Sequence, residues 1–218
     1  MNPMSDSAWS HRLPRALLAL LFSFLCAVFP AGCATLGTPS LSERLQALPA
    51  EQKDRVHPFF INSPLDVPQI GRLAGVAAYF RDRGFRHSKF LFRASGADLA
   101  ARSLDIRRED PDARIVLIGW SGASLWIWDA LTDLDIAGQS VDLVVYLDSN
   151  WIKKRVEDEG HPDNYSRAVL IYRQDNSPVE GVPKSVSRTV ATKQHLAVAA
   201  HTDTLEYLAE ELIELTSD

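Results

Sequence analysis

Short apolar runs alternate with amphipathic stretches along most of the chain. Continuous apolar runs of strand length lie at 56–61, 89–93, 114–119, 141–147 and 168–172, with a last strand candidate at 185–192. Apolar residues at helical spacing predict helices over 40–54, 68–83, 97–109, 122–134 and 203–215. Continuously apolar strands are typical of a parallel sheet that helices cover on both faces. The pattern therefore predicts an α/β fold, a three-layer α/β/α sandwich around a mainly parallel sheet of about six strands.

A targeting segment precedes this pattern. Basic residues between 11 and 15 are followed by an apolar run over 16–29, which is too short to cross the ~30 Å hydrocarbon layer of a bilayer comfortably. The run ends in Pro30-Ala31-Gly32-Cys33, and small residues directly before a cysteine resemble the lipobox of bacterial lipoproteins. Pro30 departs from that motif, which usually has Leu, Val or Ile there. An ordinary signal peptide and an uncleaved anchor therefore stay open.

The lipobox resemblance implies cleavage before Cys33 and lipidation of its sulfur. We therefore expect a lipoprotein-type signal peptide over 1–32, the lipidated cysteine and a tether over 33–40, and one domain over 41–218. The domain would then be anchored to a membrane of the bacterial cell envelope and would face the periplasm or the exterior.

Composition and charge exclude several classes of function. The chain has 218 residues, a formal net charge of −5 and no basic stripe with interleaved aromatic residues, which argues against nucleic-acid binding. Its two cysteines, Cys26 and Cys33, both lie in the targeting segment, so the domain has neither a disulfide nor a thiolate metal site. His195 and His201 lack the helical spacing of metal ligands, and no nearby acid completes a zinc set. No metal or organic cofactor is implied, and nothing in the sequence indicates an oligomeric state.

The clearest chemical motif follows the strand at 114–119. In Gly119-Trp120-Ser121-Gly122-Ala123 a serine with small neighbours stands where the pattern turns from strand to helix. The motif is close to Gly-x-Ser-x-Gly, in which a tight turn presents the serine hydroxyl at the end of a sheet, with Ala123 replacing the last glycine. A structural turn that merely links a strand to a helix is the alternative. Ser121 is the candidate nucleophile.

A serine nucleophile needs a base, and the base needs an acid that fixes its tautomer. His195 and His201 both lie between the last strand and the last helix, and we favour His195 because it follows the strand directly. Asp148 ends an unbroken apolar strand, whereas Asp175 lies in a hydrophilic turn where aspartate is common for local bonding. Asp148 is therefore the preferred acid, with Asp175 and His201 as the alternatives.

These residues carry a resemblance to a known superfamily. From about Leu45 to the end, the chain resembles a compact α/β-hydrolase of the esterase, lipase and thioesterase type. The segment 97–123 is similar to the approach to the nucleophile elbow, and 141–149 to the strand that carries the acid in the thioesterase branch. The resemblance implies the order Ser121, Asp148, His195 along the chain. Trp120 departs from it where histidine is frequent, and no His-Gly pair follows the strand at 56–61.

An acyl-transfer site also needs donors for the oxyanion. The amide of Gly122 is the first candidate, and Ser63 is the second, with Leu65 or the Asn62 side chain as alternatives, because Pro64 has no N–H. We therefore expect a membrane-tethered serine hydrolase for a small-molecule acyl ester or thioester. The alternative is a noncatalytic lipoprotein that uses the same scaffold for binding. If the protein is such an enzyme, Ser121 Oγ should lie within about hydrogen-bond distance of a ring nitrogen of His195. The same ring should lie within that distance of an Asp148 oxygen.

Overall fold

The computed structural model describes residues 40–217, so the predicted signal peptide, Cys33 and most of the tether lie outside the described residues. Six strands form one sheet in the order β2-β1-β3-β4-β5-β6, and every neighbouring pair is parallel. The strands are β1 (Val56–Ile61), β2 (Lys89–Leu91), β3 (Arg114–Trp120), β4 (Val141–Leu147), β5 (Tyr165–Arg173) and β6 (Ser185–Val190). Because all six are parallel, their carboxyl ends and the loops that follow them share one edge of the sheet.

Eight α-helices accompany the sheet in the described part of the chain. They are α1 (Leu41–Ala47), α2 (Ala50–Asp54), α3 (Leu73–Asp82), α4 (Gly96–Glu109), α5 (Ser124–Ile136), α6 (Lys153–Glu159), α7 (His195–Val198) and α8 (Thr202–Leu215). None of the helices within residues 40–217 combines the length and the apolar character needed to cross a bilayer.

The two faces of the sheet bury separate apolar cores. On β3, Ile115 and Leu117 pack into one core with α4, α5 and α6, whereas Val116 and Ile118 pack into the other with α1, α3 and α8. This alternation follows from the period of two along a strand. The three-layer α/β/α arrangement predicted from the continuously apolar strands is therefore confirmed.

The structure differs from the predicted elements in three places. The helix expected over 40–54 is two helices, because Leu48 before Pro49 adopts an extended conformation that ends α1. The helix expected from 68 begins only at Leu73, because Gln69 and Arg72 both adopt positive φ. The segment between β4 and β5, for which the sequence predicts no helix, contains α6.

His161, between α6 and β5, is 8% exposed, and its ring lies between Tyr146 Oη at 2.9 Å and Tyr165 Oη at 3.2 Å.

Candidate active site

Ser121 occupies the corner between β3 and the helix that follows. The residue has φ +54°, in the left-handed region, and a short 3₁₀ turn over Ser121–Ala123 leads into α5. Gly119 permits the close return of the helix, because a Cβ there would lie 2.6 Å from Ile127 Cδ1. Ser121 is largely buried at this corner, with 6% of its surface exposed.

Asp148 lies beside Ser121 at the same edge of the sheet. In the β3–β4 register Trp120 pairs with Leu147, so Ser121 and Asp148 are the next residues along two adjacent strands. Neighbouring strands are about 5 Å apart. Asp148 also adopts a positive φ of +45°, and its N–H donates to Ile171 O at 2.7 Å. Both backbones therefore leave the sheet in a left-handed conformation, which non-glycine residues adopt rarely.

Three side chains donate to the Asp148 carboxylate. His195 Nδ1 lies 2.6 Å from Oδ2, Asn176 Nδ2 lies 2.6 Å from Oδ1, and Arg173 Nη1 forms an ion pair with Oδ2. Burial raises the pKa of Asp148, but the hydrogen bonds from His195 and Asn176 and the charge of Arg173 outweigh it, so the pKa is below its ordinary value. Asp148 is thus a buried carboxylate that stays ionised at neutral pH.

Two contacts orient the imidazole ring of His195. Its Nδ1 bonds Asp148, and its imidazole stacks on the Trp120 indole with ring centroids 5.2 Å apart. A bond from Nδ1–H to a carboxylate leaves Nε2 as the proton acceptor of a neutral ring. Among residues 40–217 no hydrogen bond joins Ser121 Oγ to Nε2. Catalytic hydrogen bonds are often long in the absence of substrate and shorten when it binds.

The two alternative residues lie elsewhere. Asp175 bonds Arg173 Nε at 2.9 Å through Oδ1, and its side chain is 47% exposed. It reaches the triad candidates only through that arginine. His201 is the N-cap of α8, and its Nδ1 accepts from the N–H of Asp203 at 3.2 Å. This role as a helix cap accounts for His201 without a part in catalysis.

The loop after β1 faces the glycine that follows Ser121. A Cβ on Gly122 would lie 3.1 Å from Pro64 Cδ, so this loop packs directly against the turn. The N–H of Leu65 donates to Ser63 Oγ at 3.4 Å, and Asn62 Nδ2 donates to Asp66 O at 3.0 Å. The N–H of Ser63, by contrast, has no partner within residues 40–217, although the residue is 3% exposed. Unpaired buried N–H groups are rare, which makes this one a candidate anion donor.

Several residues that support the site have no counterpart in the sequence-based prediction. Arg173 and Asn176 hold Asp148, and Ser149 Oγ lies 2.5 Å from Ser121 O and 2.6 Å from Ser124 Oγ. Ser149 is itself fixed by Tyr172 Oη, which donates to its carbonyl oxygen. These bonds tie the acid loop to the nucleophile turn. Only Arg173 carried a signal, since it ends the strand next to the acid strand.

No group of three or more histidine, cysteine or acidic side chains in the part of the chain that the structure describes is arranged to bind a metal ion. What the site can supply is a hydroxyl on a tight turn, a histidine fixed by a buried carboxylate, and backbone donors beside them. This set of groups is suited to proton transfer coupled to nucleophilic attack.

No protein-family model matches the chain, and no curated protein matches its sequence. Among solved structures, the chain is similar to the NocB thioesterase domain from the nocardicin cluster, with a TM-score of 0.45 and 14% identity over 78% of this chain and 97% of that one.

Proposed function

We propose that this protein is a serine hydrolase that cleaves a carboxylic ester or thioester through an acyl-enzyme at Ser121. The observation that carries the proposal is the 2.6 Å bond from His195 Nδ1 to the buried Asp148. Asp148 follows Leu147, the strand partner of Trp120, just as Ser121 follows Trp120. A carboxylate in this position fixes the imidazole tautomer and stabilises the imidazolium that forms during proton transfer. The burial of Asp148 strengthens that effect, because solvent screens the pair less.

In the proposed reaction, His195 Nε2 takes the proton of Ser121 Oγ as Oγ attacks the carbonyl carbon. The negative charge that develops on the carbonyl oxygen is bound by the N–H groups of Gly122 and Ser63. The intermediate then collapses, the bond to the alcohol or thiol breaks, and the imidazolium returns its proton to that leaving group. A water molecule, deprotonated by His195, attacks the acyl-enzyme next and releases the acid with Ser121 restored.

The Arg173 ion pair gives this site a distinct charge balance. Arg173 and His195 both contact Asp148 Oδ2. The imidazolium would therefore be stabilised by a carboxylate whose charge Arg173 already partly neutralises. Although burial raises the pKa of Asp148, the hydrogen bonds from His195 and Asn176, joined by the charge of Arg173, lower it below its ordinary value. We infer that Arg173 is a positioning residue, which holds the carboxylate oriented toward His195.

The proposal is tested by labelling the full-length protein with a fluorophosphonate, which reacts with activated serine hydroxyls. We expect labelling of the wild type and its loss in Ser121→Ala and in His195→Ala. The matched control is His201→Asn, which preserves a good N-cap for α8 and should label normally. Absence of labelling in folded wild-type protein would contradict the proposal and favour the noncatalytic binding function.

Tethering to a membrane is a separate part of the proposal and depends on the sequence alone. If Cys33 is lipidated, the wild type should partition with membranes and should carry the mass of its acyl groups on an N-terminal peptide beginning at residue 33. Cys33→Ser should lose that added mass. A wild-type protein that begins at another residue and carries no lipid would contradict this part without affecting the hydrolase proposal.

A further inference from the structure

Exposed apolar side chains concentrate on the loops that surround the candidate site. Seven large apolar side chains in residues 40–217 are exposed, and five of them follow β1, β4 or β6 at the carboxyl edge of the sheet. These five are Leu65, Val67, Ile70, Trp151 and Leu196. Single exposed apolar residues need no explanation, but a set of them around one site indicates contact with an apolar ligand. The edge that carries Ser121 is therefore also the apolar edge of the domain.

A groove of about 460 Å³ lies between two of these loops. Its apolar lining residues are Ile70 from the loop after β1 and Leu196, Ala197 and Ala200 from the segment after β6. Ile70 is 53% exposed and Leu196 is 47% exposed, so both present apolar surface to solvent. The volume falls within the range of small-molecule binding sites, roughly 300–1,000 Å³.

The groove connects to the candidate site through Trp120. Its Ile70 and Arg72 flank Gly71, whose added Cβ would lie 2.5 Å from the Trp120 ring, so the loop rests directly on the indole. The same indole stacks on His195, and residues 194 and 196, which flank that histidine in the chain, line the groove. A ligand in the groove therefore lies against the histidine loop.

We propose that this groove binds the hydrocarbon chain of the leaving alcohol or thiol, so that the substrate is an ester or thioester of an aliphatic alcohol or thiol. The inference rests on the proposed function. In that reaction His195 must return its proton to the leaving oxygen or sulfur, so the leaving group has to lie against the histidine. The groove is lined by residues next to that histidine, whereas the proposed oxyanion donors, Gly122 and Ser63, are not among its lining residues.

The mixed lining of the groove sets the size of the expected effect. Burying one whole methylene group favours binding about fourfold. Arg72 and His201 also line the groove, so each methylene is only partly removed from water. We expect a gain of about twofold in kcat/KM for each methylene added to the leaving group. Four additional methylenes should then raise kcat/KM at least tenfold.

The test compares three esters with the full-length protein: ethyl acetate, hexyl acetate and ethyl hexanoate. Hexyl acetate and ethyl hexanoate are isomers, so they differ only in which side of the carbonyl group carries the chain. We expect kcat/KM for hexyl acetate to exceed that for ethyl acetate at least tenfold and that for ethyl hexanoate several-fold. Hexyl and ethyl acetate form the same acetyl-enzyme, so the difference reports on the leaving group alone.

Variants of two residues that line the groove test whether the preference for hexyl acetate depends on the groove. Ile70→Ser and Leu196→Ser should each lower the ratio of hexyl to ethyl acetate at least threefold, and both positions are exposed enough for the fold to tolerate the change. The matched control is Ile136→Ser, an 82% exposed position at the end of α5, far along the chain from these loops, which should leave both rates and their ratio unchanged.

Each result has a distinct meaning. Equal rates for the three esters, or a preference for ethyl hexanoate, would overturn the leaving-group assignment and leave the hydrolase proposal intact. A hexyl acetate preference that persists in both groove variants would also overturn it. No cleavage of any ester by folded protein that also fails to label with fluorophosphonate would overturn the proposed function, and this inference with it.

Discussion

At the residue scale, the choice between two acids depends on the partners of each carboxylate. Asp148 is buried and accepts hydrogen bonds from His195 and Asn176, whereas Asp175 is partly exposed and contacts Arg173. We expect Asp148→Asn to lower kcat/KM about 10³- to 10⁴-fold, because an amide favours the wrong tautomer of His195. The measurement is ester hydrolysis by folded protein, with thermal unfolding as the check on the fold.

Asp175→Asn is the control for that substitution, since it changes the same functional group two residues after Arg173. Its loss should be less than about threefold, because solvent can replace an exposed ion pair at little cost. An equal loss of kcat/KM in the two variants would contradict the assignment of Asp148 as the acid.

Gly122 is sensitive to a side chain although its own φ is ordinary. A Cβ there would lie 3.1 Å from Pro64 Cδ and 3.2 Å from its Cγ, so the methyl group of Gly122→Ala would push the β1 loop away. Displacing one oxyanion donor typically costs 10²- to 10³-fold in kcat. We expect a loss of at least about tenfold, since a small loop shift weakens the donor without removing it. Steady-state kinetics of Gly122→Ala and of its control, Gly75→Ala, provide the measurement.

Gly75→Ala on α3 is the matched control for Gly122→Ala, because nothing lies within 4 Å of the added Cβ. Alanine is favoured over glycine inside a helix, so this variant should gain about 0.5–1 kcal/mol of stability and keep full activity. If Gly122→Ala also retained full activity, the loop after β1 would not supply an oxyanion donor.

At the scale of elements, the start of α8 depends on a histidine. His201 accepts from the N–H of Asp203, and loss of a capping side chain usually costs about 1 kcal/mol. His201→Ala should therefore lower the free energy of unfolding by about 1 kcal/mol in urea titrations, while His201→Asn should be nearly neutral. Both should keep the hydrolysis of ethyl acetate, whose short alcohol makes little use of the groove that His201 lines, within about twofold of wild type. That range excludes the loss expected for a general base. A large loss in both, with the fold intact, would assign the base to His201.

The strands were the elements that the sequence predicted best. The bounds of β1 and β4 coincide with their apolar runs, because a strand buried on both faces tolerates polar residues only at its ends. The helices were less predictable where tertiary contacts override local pattern. Ile70 fits the helical stripe of α3, but the Asp66 carboxylate binds the N–H groups of Ile70 and Gly71 and holds this segment in turns. Such a contact has no periodicity that a sequence could display.

The candidate site was predictable in its order and not in its supporting contacts. Ser121, Asp148 and His195 each follow a strand, and parallel strands end at one edge, so their proximity could be inferred. Two of the donors to Asp148 are Arg173, at the end of the next strand, and Asn176, in the turn that follows it. The position of Arg173 at a strand end was a signal, but nothing in the local sequence distinguishes Asn176 from a solvated residue. The turn that contains Asp175 does contribute to the site, but through its neighbours rather than its own carboxylate.

At the scale of the whole molecule, two histidines outside the site link folding to pH. His57 on β1 stacks on His87 with centroids 4.2 Å apart, and burial, followed by the charge of His87, lowers the pKa of His57 to about 4. Burial also lowers the pKa of His161 within its pair of tyrosines, although its bond to Pro162 O opposes this. Both histidines are therefore held neutral in the folded protein at pH values where the unfolded chain would protonate them.

The unfolded chain binds more protons than the folded one between the ordinary histidine pKa of 6.5 and the folded value of about 4. Stability rises with pH wherever the unfolded state binds more protons, so it should be complete above pH 6.5 and fall as the pH drops toward 4. Because His57 is only half-buried, we expect its share of this loss to be about 1–2 kcal/mol. Glu211, whose pKa is raised by burial, acts in the opposite direction near the acid end of this range.

A variant at His57 separates its contribution from those of the other groups. His57→Gln keeps a polar side chain of similar length but cannot be protonated, so the free energy of unfolding should fall less steeply between pH 7 and pH 4.5 than in wild type. Urea titrations at several pH values within this range measure the two slopes. The difference between them cancels the effects of Glu211 and His161, which both proteins share. Parallel slopes would show that His57 has the same pKa in the folded and unfolded chain, and hence that its stacking on His87 leaves it open to solvent.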